Sequence, residues 1–212
     1  MEMVSYLASV YPQVSVSLHA GELTPGLAPQ EDLRFHITDA VYTGNASRIG
    51  HGVDIREEDD WQGTLAEMAR RDIPVEILLT SNEQILNISG HNHPVSVYLD
   101  HHVPVVIATD DQGIERTDLS GEYVRLMLQH PELSYEDIRT ININSIRYSY
   151  LPGPEKEQML VQFKESLEQF ERTTVKRERP FIFTVLPSFS REPQRVQDTG
   201  VVNGILIKTG SW

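Results

Sequence analysis

One rhythm constrains this chain more than any other feature: a short β-type run, a polar tip, then a helical stretch, repeated four times. The first tip is Ser17-Leu18-His19-Ala20-Gly21-Glu22, at the end of an alternating apolar run that begins at Val14. The others are Arg48-Ile49-Gly50-His51-Gly52, Thr80-Ser81-Asn82 and Ala108-Thr109-Asp110-Asp111. Strands that alternate with helices build a parallel sheet, and a β/α barrel collects its chemistry at the carboxyl ends of its strands. The expected fold is α/β, a partial (β/α)8 TIM-type barrel of about four β/α units followed by helices.

The elements are placed by periodicity. Met3, Tyr6, Leu7 and Val10 follow i, i+3, i+4, i+7, so residues 2–10 form an amphipathic helix without an N-cap, as in a helix cut at its start. Strands are expected over Val14–Leu18, Arg48–His51, Val75–Leu79 and Val103–Ala108, with His19 just past the first. Helices are expected from about Gln30 to Gly44, from Asp59 to Arg71 with acidic residues in the first turn, and around Val95–His102. Two or three more follow without a strand between them. One of these starts at Ser134 with Asp137 three residues on, a box-like N-terminus.

The chain has no cysteine, so disulfides and thiolate sites are excluded and any metal must rest on His, Asp and Glu. A net charge of -13 argues against nucleic acid as a partner. No apolar run reaches the ~18 residues of a membrane span, and the start carries no visible export signal, so the cytoplasm is the default location. Residues 174–212 hold six Lys/Arg against three Asp/Glu, whereas residues 1–173 hold 12 against 28. That change of sign sets an expected boundary near Thr173: a barrel portion over 1–173, and a basic tail over 174–212. Pro180–Leu186 and Gly204–Lys208 have strand composition but no obvious apolar face, which favours poor order over a hairpin.

Each chemical group has a bland reading beside the functional one. His19 and Glu22 are separated by Ala20-Gly21, small enough for both side chains to turn into one pocket; alternatively the histidine serves a loop carbonyl and the glutamate is solvated. His51 lies between two glycines, which let a ligand approach closely, or it is a structural rim histidine. Asp110-Asp111 cannot both enter an apolar core, so they meet water, donors or a cation, or else Asp111 starts a turn. His91-Asn92-His93 has the spacing of a metal arm but lies in a Gly/Asn/Pro loop, and His101-His102 falls at a helix end.

Taken in order and spacing, these tips, with His93-Pro94, Asn144-Ser145 and Ser149-Tyr150, resemble the motifs of the adenosine deaminase family over roughly residues 3–172. The resemblance implies a barrel in which a Zn2+ ion activates water for attack on C6 of a purine nucleoside, releasing ammonia. By that resemblance His19 and Asp110 are zinc ligands, and Glu22 protonates ring nitrogen N1. His51 orients and deprotonates the water, Asp111 holds N7, and Gly21 lies against the substrate. Leu78-Leu79 stands where the family usually has Cys-Pro, and no strand supplies the family's first-strand His-x-His pair. The resemblance therefore covers the C-terminal half of such an enzyme.

Three expectations follow. The isolated chain binds zinc weakly and deaminates slowly or not at all. Its open sheet edges lead it to associate with itself or with the missing N-terminal half. A non-catalytic half-barrel that binds or assembles through the basic tail is the alternative, and a small metallohydrolase using His91 and His93 as the missing arm is a third reading.

Overall fold

The computed structural model describes residues 1–175; the expected boundary near Thr173 is not tested by it, and the expectations for the tail fall almost wholly outside those residues. Nine α-helices and four strands are present among them. Strands β1 (Ser17–Ala20), β2 (Arg48–His51), β3 (Val75–Ile77) and β4 (Val105–Ile107) form one parallel sheet in the order β1-β2-β3-β4. Register pairs Ala20 with His51, Ile49 with Val75, and Ile77 with Ile107, so the polar tips emerge along one rim.

The connections carry the helices. After α1 (Glu2–Val10) and β1 come α2 (His36–Tyr42), β2, α3 (Trp61–Arg70) and β3. Then α4 (Leu79–Leu86) and α5 (Val95–Asp100) lead to β4, and α6 (Gln112–Glu115), α7 (Leu119–Gln129), α8 (Tyr135–Arg147) and α9 (Gly153–Val175) follow. Strand β4 is buried at every residue, as expected for a parallel strand covered on both faces. Ile49, Val75, Ile77, Val105 and Ile107 pack with Ile37, Val41, Leu65, Met68, Leu126 and Ile141 in one core. The alternating rhythm thus folds as a partial barrel of four β/α units.

Local chemistry fixes the helix ends. Asp60 caps α3 by accepting from the Gly63 N–H at 3.2 Å, so the acidic charge is the cap and not part of the first turn. The expected box at α8 is present: Ser134 Oγ accepts from the Asp137 N–H, and Asp137 Oδ2 accepts from the Ser134 N–H at 2.8 Å. Glu58, buried, accepts from the N–H groups of Ile37 and Thr38 and so caps α2 from outside its own segment. Glu122, fully buried on α7, does the same for α4 through the Thr80 N–H at 3.1 Å and the Thr80 hydroxyl.

Element bounds differ from expectation in several places; β4, for one, spans Val105–Ile107 instead of Val103–Ala108. β1 starts at Ser17, because Val16 is already engaged by Ser47 Oγ at 2.8 Å ahead of the ladder, and His19 therefore lies inside the strand. The helix expected from Gln30 splits into a 3₁₀ turn (Gln30–Leu33) and α2, broken where Glu58 caps the second piece. β3 stops at Ile77, and Thr80-Ser81-Asn82 fall in the first turns of α4, a helix whose N-terminal partner, Glu122, lies 42 residues away. The helices after β4 number four among the described residues. The amphipathic α1 forms as read, yet Met3, at 77%, and Tyr6, at 67%, are exposed, so much of its apolar face is open.

Candidate active site

The rim of the sheet gathers three of the six expected site residues. Glu22, His51 and Asp110 each bring a ligand atom within 4.8 Å of the other two. His51 ends β2 with its side chain buried, and its Nε2 stands 3.4 Å from Glu22 Oε2 and 3.8 Å from Asp110 Oδ2. That Nε2 atom has no hydrogen-bond partner among the described residues. On the other side of the ring, Nδ1 lies 3.0 Å from Asn82 Nδ2. The Asn82 carbonyl is in turn 3.0 Å from His93 Nε2. Ser81 Oγ donates to Asp110 Oδ2 at 2.8 Å.

Two of the three carry backbone strain. His51 has φ +69° and Asp110 φ +57°, a left-handed conformation that side-chain-bearing residues rarely adopt. Gly21 has φ +73°, and a Cβ there would stand 2.4 Å from Asp54 Oδ1 and 2.7 Å from Ile37, so only glycine fits beneath the site. Gly52 is held as tightly: a Cβ would lie 2.3 Å from the Tyr98 hydroxyl, which donates to the Gly52 carbonyl at 2.7 Å.

The electrostatics sort the groups. Burial lowers the His51 imidazole to about 4, against a partial opposing pull from Asp110, so the ring is neutral at neutral pH. Burial raises the Glu22 carboxyl, and the Asp110 charge raises it further, which favours a retained proton. His93 is held down to about 3, chiefly by burial. Beneath Gly21, the buried Asp54 is pushed up to about 7 by burial and by the neighbouring Glu58 charge.

The other expected residues stand apart from this group. His19, exposed in β1, has its ring centroid 5.0 Å from that of His51 but is not among the three clustered ligand atoms. Asp111 is exposed at the start of α6 and makes no side-chain cap hydrogen bond. His93 is buried against Asn82, while the exposed His91 meets the buried His130, so the two do not form an arm toward His19. Sequence reasoning singled out Thr80-Ser81-Asn82 and His93-Pro94 without foreseeing their contacts with Asp110 and with each other. The buried carboxylates Asp54, Glu58 and Glu122 gave no local signal at all.

The sequence model of the adenosine deaminase family matches residues 4–166. This chain belongs to the adenosine deaminase family. It is 33% identical over 142 residues to the adenosine deaminase of Escherichia coli, a match covering 66% of this chain and 39% of that enzyme. The match therefore spans about two fifths of the length of such curated relatives. Among solved structures, an adenine deaminase from Arthrobacter aurescens shares the fold with a TM-score of 0.62 at 22% identity, over 77% of this chain and 46% of that one. An amidohydrolase from Burkholderia ambifaria, solved with bound zinc, does so with a TM-score of 0.64 at 18% identity, over 79% and 44%. Among the described residues no helix is long and apolar enough to cross a membrane.

Proposed function

We propose that this family member contributes the acid–base half of a zinc-dependent hydrolytic deaminase acting on adenosine or a related adenine nucleoside, and that turnover requires further strands. One observation supports this most directly: a buried, neutral His51 whose Nε2, without a hydrogen-bond partner among the described residues, lies between Asp110 and a Glu22 carboxyl raised by burial. The donor set fits a zinc ion, since imidazole nitrogen and carboxylate oxygen are its ordinary ligands where cysteine is lacking. Asp110 and His19 would hold the ion, with His51 beside it. When bound, such an ion supplies Lewis acidity that brings the pKa of water to about 7.

The chain's own residues supply the proton work. Glu22, raised by burial, is suited to give a proton to purine N1, which makes the neighbouring carbon open to attack. His51, uncharged, orients the attacking water and takes its proton in the tautomer that leaves Nε2 without a hydrogen. Asp111, exposed beside Asp110, would hold the N7 edge of the purine. Gly21 holds the strand tip at φ +73° over Asp54 and Ile37, and the purine base would lie on its other side.

The need for more strands rests on three facts. Both outer edges of the sheet are unpaired among the described residues, α1 exposes its apolar face, and the curated relatives are longer. A catalytic zinc ordinarily has three protein ligands, more than His19 and Asp110 provide. Zinc content and an adenosine-to-inosine absorbance assay on one chelator-free sample test the reading. The chain alone should hold less than one zinc at the His19 and Asp110 site and turn over little. Mixed with the portion of the Escherichia coli enzyme that it does not match, it should gain both, and Glu22→Gln should abolish the gain in turnover. Rates typical of whole enzymes from the chain alone would exclude the requirement for further strands. A complemented sample indifferent to Glu22→Gln would exclude the catalytic assignment.

A further inference from the structure

We propose a second divalent-metal site, built by His91, His130 and Glu132 and suited to a zinc-class ion. Each of the three offers a ligand atom within 4.8 Å of the other two. They come from two separate loops: His91 from the 3₁₀ turn Gly90–Asn92, and His130 and Glu132 from the segment that closes α7. The Gly90 N–H donates to Gln129 Oε1 at 3.1 Å, which ties one loop to the other directly beside the cluster.

The His130 side chain is wholly buried, and its Nδ1 lies 3.1 Å from Glu132 Oε1. Its Nε2 is also buried and has no hydrogen-bond partner among the described residues. The rings of His91 and His130 meet edge-on, with centroids 6.0 Å apart. A buried imidazole served on one nitrogen only is an incomplete polar network, and such networks are costly unless something completes them. The Ser96 hydroxyl donates to Glu132 Oε1 at 3.1 Å, the kind of outer hydrogen bond that orients a ligating carboxylate.

Two imidazoles and one carboxylate select the ion class. Zinc and its borderline neighbours take nitrogen and oxygen together, whereas magnesium and calcium prefer oxygen alone. His91 and Glu132 are exposed, so the ion has an entry path and an open position for water. None of these residues belongs to the Glu22, His51 and Asp110 group. The loop is shared, however: His93, two residues beyond His91, holds Asn82 at 3.0 Å. An ion on His91 would fasten the loop that reaches the rim.

The test uses the untagged full chain in a Glu22→Gln/Asp110→Asn background, dialysed against Zn2+ and counted by elemental mass spectrometry. Adding His91→Ala and Glu132→Gln should remove about one equivalent of bound zinc. Both added substitutions fall at exposed positions, so the circular dichroism melt of the metal-free protein should not move. No zinc in the background, or the same zinc count after the added pair, overturns the site.

Discussion

Glu122 and Glu22 are both glutamates at the rim of the same sheet, and their surroundings differ in kind. Glu122 is fully buried and accepts from the Thr80 N–H, the Thr80 hydroxyl and the Thr117 hydroxyl, completing the start of α4. Glu22 is half-buried and faces an imidazole nitrogen without a hydrogen-bond partner and a second carboxylate; burial first, and then the Asp110 charge, raises its proton affinity. One carboxylate is satisfied by the fold; the other is left for chemistry. The contrast teaches that burial by itself does not separate structural from reactive acids, whereas the state of their partners does.

The comparison can be broken most forcefully at Glu122. Glu122→Ala strands a buried N–H and two hydroxyls, and should cost about 3 kcal/mol in urea denaturation. Glu22→Ala should stay within about 0.5 kcal/mol. Similar losses for both would end the distinction. Next in size, Gly21→Ala drives a Cβ into Asp54 and Ile37 at φ +73° and should cost about 2 kcal/mol by the same measurement.

The third prediction concerns pH. The folded Asp54 holds its proton up to about 7, while the unfolded carboxyl releases it near 3.8. Across that window the native state binds more protons, so stability falls as pH rises, by at most about 1.4 kcal/mol per pH unit. His51 acts in the opposite sense. Its folded ring is held at about 4 against an ordinary 6.5, so stability falls as pH drops between those values. Asp54→Asn should remove the first slope and expose the second, with the gain over the parent largest near pH 8. An unchanged stability profile from pH 4 to 8 would refute the assignment. The smallest effect is at Asp110→Asn, which keeps an acceptor for Ser81, eases repulsion with Glu22 and suits the left-handed backbone. It should stabilise the chain by about 0.5 kcal/mol while lowering zinc retention.

The alternating pattern made the architecture legible, because parallel strands such as Val105–Ile107 and helices such as α8 announce themselves by local composition and caps. His51, Glu22 and Asp110 were readable for the same reason, each standing at a tip with small or β-branched neighbours. What sequence could not carry was long-range pairing. Glu122 starts a helix 42 residues before itself, so Thr80-Ser81-Asn82 looked like a strand tip. Likewise His93 seemed a poor candidate in its loop, because nothing near it in the chain shows that Asn82 receives it.

The Asn82 side chain has one further consequence. An amide offers one carbonyl and one NH2 group, and here they face two different imidazoles. With NH2 toward His51 Nδ1, the neutral His51 ring keeps its hydrogen on Nε2, and His93 keeps one on Nε2 to meet the carbonyl. For His51 to receive a hydrogen at Nε2 as a neutral base, its own must move to Nδ1, which requires a half-turn of the amide. That half-turn presents NH2 to His93 and forces the tautomer of His93 to change as well. The two rings are thus locked in step, and the reactive histidine cannot be reset without rewriting its buried counterpart.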